Sequence, residues 1–115
     1  DVLHSAYMPH FRAQMNCVPG MITQFSYTPI YTTEQMRQDP DVIDKVKRTN
    51  TIRAERAQIG APNSDPWEFD YILLCNKICG KSHYNMQMKI IVETQEEYDA
   101  WMAEQKTFAQ IVVTN

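Results

Sequence analysis

The stretch Cys75-Asn76-Lys77-Ile78-Cys79-Gly80-Lys81-Ser82-His83-Tyr84-Asn85-Met86 places two thiols, an imidazole and a thioether in one short segment. These are soft donors, which together suit copper and disfavour magnesium, calcium or manganese, ions that take oxygen ligands. A mononuclear blue-copper loop needs a single Cys with His and a distant Met, whereas here two cysteines stand four residues apart. Two thiolates so spaced can both bridge a pair of copper ions, each ion completing its shell with one His and one weak donor. Zinc could use two Cys and two His but gains little from Met86. The cysteines alone would equally suit a disulfide or two buried thiols, with His83 and Met86 as loop decoration; the added His and Met at these offsets favour the metal.

The loop supplies one imidazole, so the second must come from elsewhere, and only His4 and His10 remain. His4 lies near the end of what reads as a strand whose beginning would precede Asp1, and His10 lies past Pro9 in a loop. That contrast favours His4. Cys17 has no partner in the pattern and reads as a buried small hydrophobe, and the methionines other than Met86 read as core fillers.

The elements that must position these residues follow from periodicity. Phe69 to Cys75 and Met86 to Glu93 are short, apolar and rich in strand formers, so the soft donors sit in the loop between two buried strands. Met21 to Ile30 alternates and predicts a half-buried strand ending at Pro29, entered through the turn signal Val18-Pro19-Gly20. Residues 33 to 66 change character. Thr33 can cap a short helix reaching Gln38, and Asp41 to Gln58 carries Val42, Ile43 and Val46 at helical spacing, so this segment predicts a helical insertion on a β scaffold. Its cations Lys45, Lys47, Arg48, Arg53 and Arg56 alternate with Asp44 and Glu55, the pattern of a solvated face rather than of a contact with a neighbouring subunit or lipid headgroups. Gly60 to Pro66, which includes Asn63, is a loop back to β structure. Thr94-Gln95-Glu96-Glu97 is a capping box opening a helix to about Gln105, with Tyr98, Trp101 and Met102 at the spacing that would pack it on the sheet. Ile111 to Val113 predicts a final strand.

Composition bounds the rest. A chain of 115 residues, 43% hydrophobic, suits one domain, 1–115, with a modest core. With 11 basic and 14 acidic residues the net charge is −3, which gives no field for nucleic acid. Three cysteines are too few and too uneven for a disulfide framework. No run of about eighteen apolar residues could cross a bilayer, and the first residues lack the charged and apolar regions of a signal peptide. The abrupt start predicts a fragment of a longer protein. There is no Cys-x-x-Cys-His motif, hence no covalently attached haem on this chain.

The block Asp1-Val2-Leu3-His4-Ser5, then Pro9 and Val18-Pro19-Gly20, together with Cys75 to Met86, resembles the second subunits of cytochrome c oxidases, and the resemblance covers most of the chain outside 33–66. It implies an all-β fold, a cupredoxin-like Greek-key barrel with a helical insertion and a C-terminal helix, whose first strand or strands and two membrane helices lie outside this chain. It implies two copper ions, the copper A centre, with Cys75 and Cys79 bridging, His4 and Met86 completing one ion, and His83 and the backbone carbonyl of Lys77 completing the other. Electrons would arrive from cytochrome c and pass to the haem- and copper-B-bearing first subunit, where oxygen reduction is coupled to proton pumping. The domain would then face the periplasm from a cell membrane. Family members usually carry Glu at position 77, which helps hold a magnesium or manganese ion. Lys77 cannot, which argues against that secondary site. Asn16 also stands where the family commonly has Asp. Two other readings compete: the copper domain of a nitrous oxide reductase, which usually has an aromatic residue where Ile78 stands, and a metal-free, disulfide-stapled binding domain of an envelope complex.

Overall fold

In a computed structural model, which describes residues 2–62 and 64–113, four strands form one antiparallel sheet in the order β2-β1-β3-β4. The strands are β1 (His4–Met8), β2 (Ala13–Cys17), β3 (Tyr71–Leu74) and β4 (Gln87–Ile90). Two hairpins make up the sheet: β1 pairs β2 from His4↔Cys17 to Met8↔Ala13, and β3 pairs β4 from Tyr71↔Ile90 to Leu74↔Gln87. They join through β1 and β3, at Tyr7↔Leu74. The sheet agrees with the cupredoxin-like expectation. Asp1 and Asn63, which the sequence places at a strand end and in the returning loop, lie outside the described residues.

The core is small and aromatic. Met8, Phe69 and Tyr71 are buried, and the rings of Phe11 and Tyr27 extend the cluster, Phe11 lying 4.5 Å from Tyr71 and 5.0 Å from Tyr27. The Tyr27 hydroxyl donates to Met8 Sδ at 2.8 Å, and the Tyr71 hydroxyl to the Tyr31 carbonyl at 3.0 Å. Tyr71 therefore keeps its polar tip satisfied while burying its ring, and Tyr27, 41% exposed, covers the edge of the cluster. His10, on a short 3-10 turn, packs edge-on against Phe69 at 5.2 Å and Tyr71 at 5.6 Å.

Burial, helped by the nearby Lys45 charge, holds the His10 imidazole below its ordinary value of 6.5. The unfolded chain then takes up a proton before the folded one, so stability falls as pH drops through 6.5. Denaturant unfolding across that range is expected to show a shallower loss in His10→Phe than in the wild type, because the variant removes the group that must stay neutral.

The helical segment docks through polar contacts. Helix α1 (Thr33–Arg37) is capped by Thr32, one residue earlier than expected, and Gln35 completes a capping box. Buried Thr33 joins Val92 by two hydrogen bonds of 2.9 Å, and Arg37 donates to the Phe69 carbonyl at 3.0 Å and to Asp70 at 2.9 Å. Asp70 also pairs with Lys89 of β4 at 2.7 Å. Helix α2 (Pro40–Gln58) starts at the Asp39 cap, and Asn50 meets both backbone groups of Trp67 as a strand neighbour would, at 2.7 and 3.0 Å. Two of its cations are not simply solvated: Lys45 lies over the Trp67 ring and Arg53 donates to the Asp65 carbonyl. No helix among the described residues is long and apolar enough to cross a membrane.

Several expectations fail. Among them are the burial of β4, whose Gln87, Met88 and Lys89 are exposed, and the reading of the methionines as core fillers, since Met21 and Met88 are largely exposed. The placing of His4 near a strand end is another, since it opens β1. Residues 21 to 30 form no strand, and Ile22 is 98% exposed. Alternation supplies an apolar face but not the ladder partner that turns an extended segment into a strand, and among the described residues none pairs with it. The turn ahead of it does form: Met21 N–H bonds the Val18 carbonyl at 3.1 Å, and Gly20 takes the positive φ of 77° that such a turn asks of glycine. Helix α3 (Gln95–Glu104) begins at its capping box, yet Tyr98, Trp101 and Met102 are half-exposed and do not pack on the sheet; Tyr98 and Trp101 touch one another instead. Ile111 to Val113 belong to helix α4 (Phe108–Val113), because Thr107 and Gln110 cap it reciprocally and so override the β-branched side chains. Cys17 is exposed, since β2 is a sheet edge. With α3 standing off the sheet and residues 21–30 meeting it only through side chains such as Thr23 and Tyr27, the radius of gyration is 18.3 Å, against about 13 Å for a compact 100-residue domain.

Candidate metal centre

The two halves of the site are brought together by neighbouring strands. His4 opens β1, and Cys75 directly follows β3, which pairs with β1. The Cys75 N–H donates to the Met86 carbonyl at 3.0 Å, extending the β3–β4 ladder by one bond and pinning both ends of the loop. Within it, Gly80 has φ 139°, a conformation closed to side-chain-bearing residues, so the chain can reverse immediately after Cys79. A short 3-10 turn, His83–Asn85, then delivers His83 and Met86 back toward Cys79.

Five side chains and one carbonyl converge. Cys75 Sγ lies 3.9 Å from His4 Nδ1, 3.4 Å from the Lys77 carbonyl oxygen and 3.7 Å from Cys79 Sγ. Cys79 Sγ lies 3.3 Å from His83 Nδ1 and 3.1 Å from Met86 Sδ. The donor atoms of His4, Cys75 and Cys79 all fall within 4.8 Å of one another. Two thiolates at bonds of about 2.3 Å to one tetrahedral metal stand about 3.8 Å apart, and a thiolate and an imidazole about 3.5 Å. The Cys75–Cys79 distance matches the first figure, and the two sulfur–imidazole distances bracket the second, while Met86 Sδ stands closer to Cys79, at 3.1 Å. A disulfide needs about 2.05 Å, and both thiols are free. The donor set therefore fits a soft metal as it stands.

The sulfurs are nearly dry, Cys75 being 9% and Cys79 8% exposed. Their acidities are pushed apart. The Ser5 backbone amide, aided by Lys77, His4 and Cys79 and opposed by burial, brings the Cys75 thiol down to about 6; burial and the adjacent Cys75 push Cys79 up. At neutral pH Cys75 is thus the resting thiolate, ready to take a metal ion without first losing a proton.

His10, the competing imidazole, is exposed at the edge of the aromatic cluster, against Phe69 and Tyr71, and is not among the donors that converge. Sequence reasoning missed the residues that hold Cys75 in place. Ser5 is 5% exposed; its hydroxyl donates to Asn76 Oδ1 and accepts from the Asn76 N–H at 2.9 Å. The Asn76 amide in turn exchanges bonds with Gln14 of β2 at 3.3 and 3.4 Å. One polar latch therefore ties the residue after Cys75 to two strands. The only local signal was position: Ser5 follows His4 and Asn76 follows Cys75.

Ser5→Ala removes both bonds and leaves the Asn76 N–H without its partner. The metal-free protein is expected to lose about 0.5–1.5 kcal/mol in denaturant unfolding, the usual net worth of a hydrogen bond, since Asn76 itself is exposed.

Two relatives align along almost the whole chain. The alternative cytochrome c oxidase subunit 2 of Bradyrhizobium diazoefficiens is 38% identical over 109 residues, 95% of this chain and 26% of that protein. The cytochrome c oxidase subunit 2 of Thermostichus vulcanus is 23% identical over 109 residues, 95% of this chain and 22% of that protein. No family model matches, and no solved structure does. The chain thus spans about a quarter of the length of the relatives it matches. The cysteine loop, the opposed histidine and a 38% identical alignment over 95% of this chain agree: the chain is similar to a domain-sized part of cytochrome c oxidase second subunits.

Proposed function

We propose that the chain is the copper-carrying domain, 1–115, of an oxidase's electron-accepting subunit, with 33–66 as an insertion and the membrane anchor elsewhere in a longer protein. The observation that carries this reading is the meeting of donors 71 residues apart: His4 beside Cys75, with Cys79, His83 and Met86 completing the cluster. Cys75 and Cys79 would bridge two copper ions, with His4 and Met86 on one and His83 and the Lys77 carbonyl on the other. A sulfur-bridged copper pair supplies one-electron exchange with little change in bond lengths.

The chain's own residues would do the rest. Burial of both sulfurs excludes water, the Ser5–Asn76–Gln14 latch fixes Cys75, and the weak Met86 and carbonyl donors leave the potential open to tuning by hydrogen bonds around the site. Cytochrome c would be the electron donor and the haem-bearing first subunit the acceptor, with oxygen reduction and proton pumping there and this domain on the periplasmic face of the membrane. Both relatives are oxidase subunits by name, which favours this reading over a nitrous oxide reductase. Free thiols 3.7 Å apart favour it over a disulfide staple.

The test is copper loading of the metal-free protein. Two ions per chain and electron paramagnetic resonance with hyperfine coupling to two equivalent copper nuclei are expected. A fully loaded protein whose spectrum shows a single copper nucleus would overturn the proposal.

A further inference from the structure

A second group of soft donors lies on the other flank of His4. In the β1–β2 ladder His4 stands directly opposite Cys17, and Ala6 opposite Met15. Residues two apart on a strand, and the residues opposite them, project from one face, with directly opposed Cβ atoms about 5 Å apart and diagonal neighbours about 7–8 Å. The imidazole of His4, the thiol of Cys17 and the thioether of Met15 therefore share a face, and only the methyl group of Ala6 lies among them. The Val18–Met21 turn then folds the chain back, so that Met21 joins them. All four line one open cavity of about 420 Å³, walled otherwise by Thr23 and apolar residues such as Val18 and Pro19. None of the residues lining it is a carboxylate. A hard dication would find almost nothing there to bind, whereas thiolate, thioether and imidazole select cuprous ion. Cys17 is a free, exposed thiol, open to an ion arriving from solvent or from a carrier. The His4 ring borders both this cavity and, through Nδ1, Cys75.

We propose that His4, Met15, Cys17 and Met21 form a receiving site for one cuprous ion, from which the ion is handed past His4 to Cys75. The handover rests on the copper function proposed above; the receiving site itself does not. In the transfer the bond from Cys17 sulfur to copper breaks as the bond from Cys75 sulfur forms. Copper stays cuprous throughout, no electron moves, and any proton displaced from Cys75 returns to the Cys17 sulfur.

The metal-free full chain, titrated anaerobically with cuprous ion as its acetonitrile complex against a chromophoric cuprous chelator, is expected to hold three ions, and Cys17→Ser two. Met15→Leu with Met21→Leu is expected to weaken the third ion by about tenfold or more, the scale on which metal sites respond to loss of a supporting group. Equal stoichiometry in the wild type and Cys17→Ser, both folded by circular dichroism, overturns the proposal. Cys75→Ser with Cys79→Ser separates the two readings. A single ion retained there and lost on adding Cys17→Ser supports the receiving site even if the dinuclear centre fails, and no retained ion counts against it. Should that double variant not fold, the comparison in the intact chain decides alone.

Discussion

Cys75→Ser is expected to abolish the two-copper signal and reduce the copper held at this loop from two ions to at most one, while leaving the far-ultraviolet circular dichroism of the metal-free protein unchanged. Cys75 is the sulfur that joins the two halves of the site: His4 on one side, the Lys77 carbonyl on another, Cys79 on a third. A serine oxygen is a harder donor on a shorter bond, and it stays protonated where the thiol is already ionised near pH 6. It cannot bridge two soft ions. The backbone should tolerate the change, because the Cys75 N–H bond to Met86 and the Ser5–Asn76 latch use main-chain and neighbouring groups rather than the sulfur. Copper analysis together with electron paramagnetic resonance checks the result, and an unchanged dinuclear spectrum would refute the role of this sulfur.

Phe69→Ala is expected to cost about 3–5 kcal/mol, read by denaturant unfolding of the metal-free protein, which for a marginally stable chain means extensive unfolding at ambient temperature. Phe69 is 4% exposed and stands where the parts of the molecule meet: its ring contacts His10 and Tyr71, and its carbonyl accepts from Arg37 of α1. With so few buried side chains, there is little else to collapse into the space. A substitution at half-exposed Trp101, by contrast, is outside this core and carries no comparable burial. Should Phe69→Ala unfold like the wild type, the aromatic cluster is not what holds the sheet.

The metal loop was legible because its information is local: donor chemistry is a property of residue type, and four of the donors fall within twelve residues of one another, Cys75 to Met86. The capping box at Thr94 was legible for the same reason, since Thr94 and Glu97 find each other within one turn. His4 was readable only by elimination and family likeness, because nothing near it announces a partner 71 residues away. The latch of Ser5, Asn76 and Gln14 left no trace beyond its place beside His4 and Cys75, as polar side chains that meet across strands have no periodicity. Residues 21–30 and the apolar face of α3 misled in one common way. Pattern reports which side of an element is apolar, but not whether anything arrives to cover it.

The pairing of β1 with β3 has a consequence for how such a chain can change over time. Both halves of the centre lie on adjacent strands, so the helix pair, residues 33 to 58, is a tether rather than a part of the centre, and the entropy of closing a tether grows only with the logarithm of its length, about 0.6 kcal/mol per doubling. Descendants of this sequence could lengthen, shorten or exchange the helix pair at small energetic cost, provided that Thr33, Arg37 and Asn50 or their replacements still find the sheet. Variation in length should accumulate there, while the spacing from Cys75 to Met86 stays fixed.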